Sequence, residues 1–400
     1  MHGRALGCAR SWAAAALGTW GRSRLRGRTR AYLSTAAEPA SAEEPAPKST
    51  PAPTIFSSRA KIAPTCPEWL KRSKSRTNLE KSFNLEEVYD AEYSSVQIAT
   101  PKAAPAQAGV GAAGPHKVVI KTFKKPKLLM RPDLQQKLKQ EWDIHTALLD
   151  HPNVIKPYLA TEDDAAVGLF MEYAGESDAY SYLSAKQRLS LREDDARQLM
   201  HDVLSALLYM HEQGIVHRDI KSENVFRTDC GTWKLGDFGS ALRLGDGRSL
   251  ERQVLKLEGT FSFAAPEYVR IWKGFQRAQL IEATTFKLDS WSAGALAYDV
   301  LCGRAPFALR EGISREDETE AVLRTDPEFP SGLSYNAVSF MMQALEKCPQ
   351  KRPSVRQLLA HPWFEKPREQ PAPAAAKRRS RSSSSGATTS SSGGGGGGTR

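Results

Sequence analysis

The sequence predicts an α+β chain of two lobes, a small β-rich one followed by a larger, mostly α-helical one, with low-complexity tails. Three observations carry this. From about Phe83 the chain is rich in β-branched, strand-like segments. After Gly175 apolar residues recur at helical spacing. Both ends are poor in core-forming residues, so the 400 residues hold one folded region where length alone would suit two or three.

Taken in order, residues 1–35 hold seven Arg and no acidic residue, with Leu6, Ala13, Leu17 and Trp20 at helical spacing. This composition reads either as a mitochondrial or plastid transit peptide ending near Arg30-Ala31-Tyr32-Leu33-Ser34, or as a disordered basic tail on a cytoplasmic protein. Residues 36–82, rich in Pro, Ala, Ser and Lys, read as a linker. The folded region is expected over 83–364. In it, strands are expected over 93–99 and 117–123, joined by an enlarged Pro/Ala/Gly loop over 101–116. A helix over 136–149, a strand over 167–173 and helices over 196–213, 289–301 and 337–345 follow. Residues 365–400 run from Pro/Ala through Lys377-Arg378-Arg379-Ser380-Arg381 into Ser and Gly tracts, and read as a disordered tail.

The net charge of +11 is unevenly placed: residues 1–35 carry +7, 36–85 carry +3 and 366–400 carry +6, leaving −5 on 86–365. A mildly acidic core without an aromatic-rich basic groove argues against nucleic acid as a partner. No apolar run reaches the roughly 18–20 residues a membrane span needs. The five cysteines include no C-x-x-C pair, which fits a reducing compartment with neither disulfides nor a zinc site.

The densest chemical signal is His217-Arg218-Asp219-Ile220-Lys221-Ser222-Glu223-Asn224, then Asp237-Phe238-Gly239, then Ala265-Pro266-Glu267. In this order and spacing the three fragments resemble the catalytic core of eukaryotic protein kinases, with H-R-D-x-x-x-x-N, D-F-G and A-P-E motifs. The resemblance covers roughly 86–364 and implies the bilobal protein kinase fold, with ATP and Mg2+ as cofactors and proteins as substrates. Lys221 and Thr260 match the Ser/Thr-specific members. His361-Pro362-Trp363-Phe364 resembles the end of calcium/calmodulin-dependent-like and related kinases.

The resemblance also assigns roles. Lys121, closing Val118-Val119-Ile120-Lys121, would pair with the α- and β-phosphates and be held by Glu141. Asp219 would accept the proton of the substrate hydroxyl, and Lys221 would neutralise the transferring group. Asn224 and Asp237 would hold Mg2+. Met171, Glu172 and Ala174 look like the gatekeeper and hinge, and Asp178 like the ribose contact. Phe226 would lie under adenine, with Val96 and Val119 above it. His217 would be structural, Glu267 would pair with Arg352, and Asp289 would anchor the catalytic loop.

Two departures stand out. Gly109-Val110-Gly111-Ala112-Ala113-Gly114 spells a phosphate-loop motif, but only six residues separate Gly114 from Lys121, enough for one strand at most. The better placement is Tyr89–Val96, where Tyr89, Ala91 and Ser94 replace the three glycines. Without glycine, and with Asp90 and Glu92 nearby, the loop is expected to hold phosphates weakly. The alternative to an active kinase is therefore a weakly active or inactive pseudokinase serving as an interaction module. Arg218 often pairs with an activating phosphate in this family. Residues 254–258 carry no hydroxyl, so Glu258, with Glu251, is expected to supply fixed charge to it instead.

Overall fold

The computed structural model describes residues 54–56, 60–67, 70, 81–102, 117–185, 190–245, 261–272, 285–307 and 315–365. The basic segment 1–35, the glycine stretch 109–114, Glu251, Glu258, Thr260 and the tail beyond Glu365 lie outside them.

The small lobe is a six-stranded antiparallel sheet in the order β1-β5-β6-β4-β3-β2. Its strands are β1 (Ala60–Ile62), β2 (Phe83–Asp90), β3 (Ser94–Pro101), β4 (Val118–Lys124), β5 (Pro157–Glu162) and β6 (Ala166–Glu172). Alternation along β4 sorts its two faces. Val119 and Phe123 join the inner cluster with Val96, Leu169 and Met171. Val118 and Ile120 join the outer one with Phe83, Ala99 and Phe170. Helices α1 (Lys125–Leu129) and α2 (Pro132–Ala147) follow. Pro132 opens α2 where a missing N–H costs nothing, so the helix starts four residues before the apolar spacing suggests.

The expected linker over 36–82 needs a correction. β1 pairs with β5, placing Lys61 opposite Ala160. Ile55, Phe56, Cys66 and Leu70 are buried. A Pro/Ser/Lys-rich average conceals these few apolar residues, and the exposed edge of β5 gives the segment a ladder to join.

In the large lobe, α3 (Ala179–Ala185) and α4 (Glu193–Glu212) pack with the nearly all-buried α6 (Lys287–Cys302), while α5 (Pro266–Trp272) lies between them in sequence. Gly294 in α6 admits no side chain, because a Cβ there would lie 2.6 Å from Ala344 Cβ. After α7 (Arg315–Arg324) come α8 (Tyr335–Ala344), capped by Ser334, and α9 (Val355–Leu359), opened by a Ser354/Gln357 capping box. Short ladders place the loops that matter. β7 (Ser177–Asp178) and β10 (Trp233–Leu235) flank β9 (Val225–Arg227), and β8 (Ile215–Val216) pairs with β11 (Leu242–Arg243). The β8–β9 and β10–β11 connections therefore carry Asp219 and Asp237 to the same place.

Candidate active site

Lys121 on β4 and Glu141 on α2 meet with Nζ 2.7 Å from Oε1, both side chains nearly buried. The same ammonium stands 3.2 Å from Asp237 Oδ1. Burial pushes the lysine pKa down, but the carboxylates of Asp237 and Glu141 outweigh it and hold the group charged. Lys121 is thus fixed by two anions on separate elements, its position set by the register that puts it opposite Val96 and Leu169.

Asp219 lies in the loop after β8. Its Oδ2 accepts from Lys221 Nζ at 2.8 Å and Asn224 Nδ2 at 3.1 Å. Burial alone would raise its pKa; the Lys221 ammonium overrides this and keeps the carboxyl below the usual carboxylate range. Asn224 also donates Nδ2 to the Asp219 carbonyl at 2.7 Å. That leaves Asn224 Oδ1 buried with no protein partner, and Asp237 Oδ2 is in the same state. Two buried orphan oxygens at the ends of adjoining loops suit a hard cation such as Mg2+. Among the described residues no three His, Cys, Asp or Glu form a metal cage. A two-ligand site fits an ion that keeps water and phosphate in its shell.

The loops are held under strain. Arg218 and Asp237 are the non-glycine residues with positive φ among those described, at 68° and 58°. Asp289 at the start of α6 fixes the first of these, accepting from His217 N and Arg218 N at 2.8 Å each and from His211 Nε2 at 2.9 Å. His217 Nε2 donates to the Gly236 carbonyl at 3.1 Å, and burial, ahead of the opposing pull of Asp289, holds the ring neutral. The Phe238 ring lies between two histidine rings, 5.5 Å from His217 and 4.7 Å from His145 on α2. Arg218 Nε donates to the Ser240 carbonyl at 2.6 Å.

The residues expected around adenine converge. Val96, Val119, Met171, Ala174 and Phe226 belong to one buried cluster bridging the two lobes. Glu172 turns its side chain away, pairing with Lys234 Nζ at 2.7 Å, which leaves this stretch to meet a ligand through its backbone. Asp178 is fully buried, and its Oδ1 accepts from Ser181 N at 2.6 Å, so one oxygen of the expected ribose contact is already committed to α3. Arg352 grips Glu267 through two bonds of 2.7 and 2.9 Å. Ser292 on α6 donates to the Phe263 carbonyl at 2.8 Å, and a hollow beside Asp219 is lined by Ile220, Phe263, Ala264 and Ala265.

Tyr89–Val96 forms the β2–β3 hairpin, which precedes the Lys121 strand. Its tip closes with Ala91 N donating to the Ser94 carbonyl at 2.8 Å, and no residue from Ala91 to Ser94 has a positive φ. That geometry does not require glycine. Sequence reasoning missed what steadies it: Lys124 Nζ reaches the Ala91 carbonyl at 2.7 Å and Asp90 Oδ1 at 2.6 Å. It also missed Ser222 Oγ donating to Asp299 at 2.9 Å behind the catalytic loop, and Gln140 of α2 donating to the Ala241 carbonyl at 3.1 Å. These contacts join residues 77 and 101 positions apart, and no local pattern signals them.

A two-lobed fold with a Lys–Glu pair, an Asp–Lys–Asn loop and a strained Asp-Phe-Gly turn defines a phosphoryl-transfer scaffold. Residues 107–364 match the protein kinase domain, and the chain belongs to that family. The match begins beyond β2 and β3 and leaves out their glycine-free hairpin. The chain is 30% identical over 250 residues to an Aurora kinase of Schizosaccharomyces pombe, covering 62% of this chain and 64% of that protein. It is 32% identical over 254 residues to a maternal embryonic leucine zipper kinase of Xenopus tropicalis, covering 62% and 35%. Against the serine/threonine-protein kinase PLK4 of Drosophila virilis the values are 29% over 249 residues, 62% and 30%. The chain thus spans between about a third and two thirds of these relatives.

Proposed function

We propose that this protein transfers the γ-phosphoryl group of ATP to serine and threonine hydroxyls of protein substrates. The observation that carries the reading is the convergence of Lys121, Glu141, Asp219, Lys221, Asn224 and Asp237 with two orphan oxygens left for a cation. Protein kinases use ATP and Mg2+, and bound Mg2+ would neutralise phosphate charge between Asn224 and Asp237. Lys121, braced by Glu141, orients the α- and β-phosphates. Asp219, held anionic by Lys221, orients the hydroxyl and takes its proton at the carboxylate. Lys221, itself against Asp219, lies where it offsets charge on the group in transit.

The PLK4 relative is named a serine/threonine-protein kinase, which supports that specificity, and Lys221 agrees with it. Placement in the calcium/calmodulin-dependent-like or a related group rests on His361-Pro362-Trp363-Phe364 alone. The pseudokinase reading expects a lost catalytic residue, and none of the six is missing. Incubating the purified full chain with labelled ATP, Mg2+ and a generic basic protein tests the reading. Label on serine or threonine is expected; its absence there, or label on tyrosine alone, rejects the reading.

We further propose that residues 1–35 act as an organelle presequence. A fusion of residues 1–40 to a fluorescent protein is expected in mitochondria or plastids, and a diffuse cytosolic signal with an uncut amino terminus rejects this.

A further inference from the structure

The segment ahead of the kinase domain does more than lie against it. Ile55 and Phe56 are 2% and 3% exposed. They share a hydrophobic cluster with Leu128 of α1 and with Leu138 and Trp142 of α2. Leu138, Glu141, Trp142 and His145 lie on one face of α2, three or four residues apart. The apolar pair of that face packs with the Ile55/Phe56 cluster, and its polar pair meets Lys121 and Phe238.

The segment is also anchored by charge. Ile55 N and Phe56 N donate to Glu162 Oε1 and Oε2 at 2.6 and 2.8 Å. Glu162 in turn pairs with Lys125 Nζ at 2.8 Å, with both side chains 1% exposed. Lys125 opens α1, the short helix from which α2 departs. One buried carboxylate therefore ties the amino-terminal segment to the root of the helix carrying Glu141. Farther along, β1 completes the sheet edge on β5, Ala63 N donates to the Tyr158 carbonyl at 2.9 Å, and Thr65 Oγ donates to the Pro157 carbonyl. Cys66 and Leu70 then enter the cluster on the opposite face of the sheet. The segment clasps the edge from both sides.

We propose that residues 54–56 and 60–67 form an intramolecular strap that positions α2, with Ile55, Phe56 and Glu162 as positioning residues for the Lys121–Glu141 pair. The strap touches neither reacting atoms nor nucleotide. It fills the space behind Leu138 and Trp142, so that Glu141 stays within reach of Lys121. Emptying that space lets the helix move away and takes Glu141 from the ammonium, leaving it to Asp237 alone among its two anions.

The proposal rests on the kinase reading for its kinetic arm, and a second arm is independent of turnover. In the full chain, Ile55→Ser/Phe56→Ser is expected to lower kcat about tenfold while the KM for ATP changes less than about threefold. Hydrogen exchange of amides 132–147 is expected to speed up about tenfold or more, with amides 287–302 unchanged. Phe56→Leu, which keeps an apolar side chain, and Ile62→Ser, at a 41% exposed position, are expected to retain wild-type kcat. Unchanged exchange over 132–147 in the double variant overturns the proposal. So does equal loss of protection in both helices, the mark of a plain folding element, and so does a kcat equal to wild type. A wild-type chain without turnover would undo the functional reading and leave the exchange comparison to decide the strap.

Discussion

Lys121 Nζ lies 2.7 Å from Glu141 Oε1, across a gap of 20 positions in the chain. The bond joins the central region of the small sheet to the 16-residue helix α2, and both partners are nearly out of water. A buried ion pair is costly to assemble and more costly to break, because the survivor stays charged and unpaired. Here Asp237 shares the ammonium at 3.2 Å, so the site is a triad in which each anion comes from a different segment.

Glu141→Gln keeps the shape of the side chain and removes its charge. The loss is expected to be about 1.5–3 kcal/mol of transition-state stabilisation, or about 10- to 150-fold in kcat/KM. Steady-state kinetics with ATP as the varied substrate measures it. A value within twofold of wild type, on the order of experimental error, would show that the pair does not position the phosphates.

Asp219 and Asp237 are expected to fail differently. Asp219→Asn should lower kcat about 10²–10⁴-fold with ATP affinity retained, the outcome expected of the proton-accepting role proposed for it. Asp237→Ala should lose the Mg2+-dependent part of ATP affinity, because the orphaned Oδ2 is gone. Calorimetric titration with and without Mg2+ separates the two, and equal affinity in Asp237→Ala and wild type removes the metal assignment.

The Glu267–Arg352 pair is a matter of stability. Arg352 is buried, and beyond its fork on Glu267 it donates Nε to the Glu346 carbonyl and Nη1 to the Lys287 carbonyl, at 2.8 Å each. Arg352→Met strands the carboxylate and two carbonyls and is expected to cost about 3–5 kcal/mol. Urea unfolding reads this as a lower midpoint, and an unchanged midpoint refutes it.

Acid should weaken the fold through His145. Burial pushes its pKa from 6.5 down to about 4, and Nε2 donates to the Ile155 carbonyl at 2.7 Å. Between these pH values the unfolded histidine takes up a proton that the folded one refuses. Its stabilising contribution is complete above pH 6.5 and falls by up to about 1.4 kcal/mol per unit as pH drops toward 4. His145→Leu loses the hydrogen bond at every pH and the acid sensitivity with it. The wild-type advantage in urea midpoint is therefore expected to shrink from pH 7.5 to pH 5; a constant gap contradicts the assignment.

The cluster of residues proposed for catalysis was legible because that chemistry demands short, fixed spacings within single loops. Asp219, Lys221 and Asn224 must fit one turn between two strands, so a string of eight residues displays them together. The long helices and central strands were legible for a related reason, since periodicity repeats over many residues and survives a misplaced end, as α2 shows. The hairpin at Tyr89–Val96 followed from counting residues back from Lys121, although the glycines that usually advertise it are absent.

Tertiary structure alone decided the rest. Nothing near Phe56 in sequence says that it joins the hydrophobic cluster of Trp142, or that its amide is met by Glu162, 106 positions later. In a stretch dominated by Pro, Ser and Lys, two adjacent apolar residues and a three-residue strand are too brief to set a period. Their meaning comes from the partner, an open sheet edge and a gap behind a helix, and those exist only once the lobe has folded. The same holds for Lys124 on the hairpin tip and Asp299 behind the catalytic loop. Local chemistry writes itself into spacing. Contacts between distant segments depend on the geometry of both, and sequence order records neither.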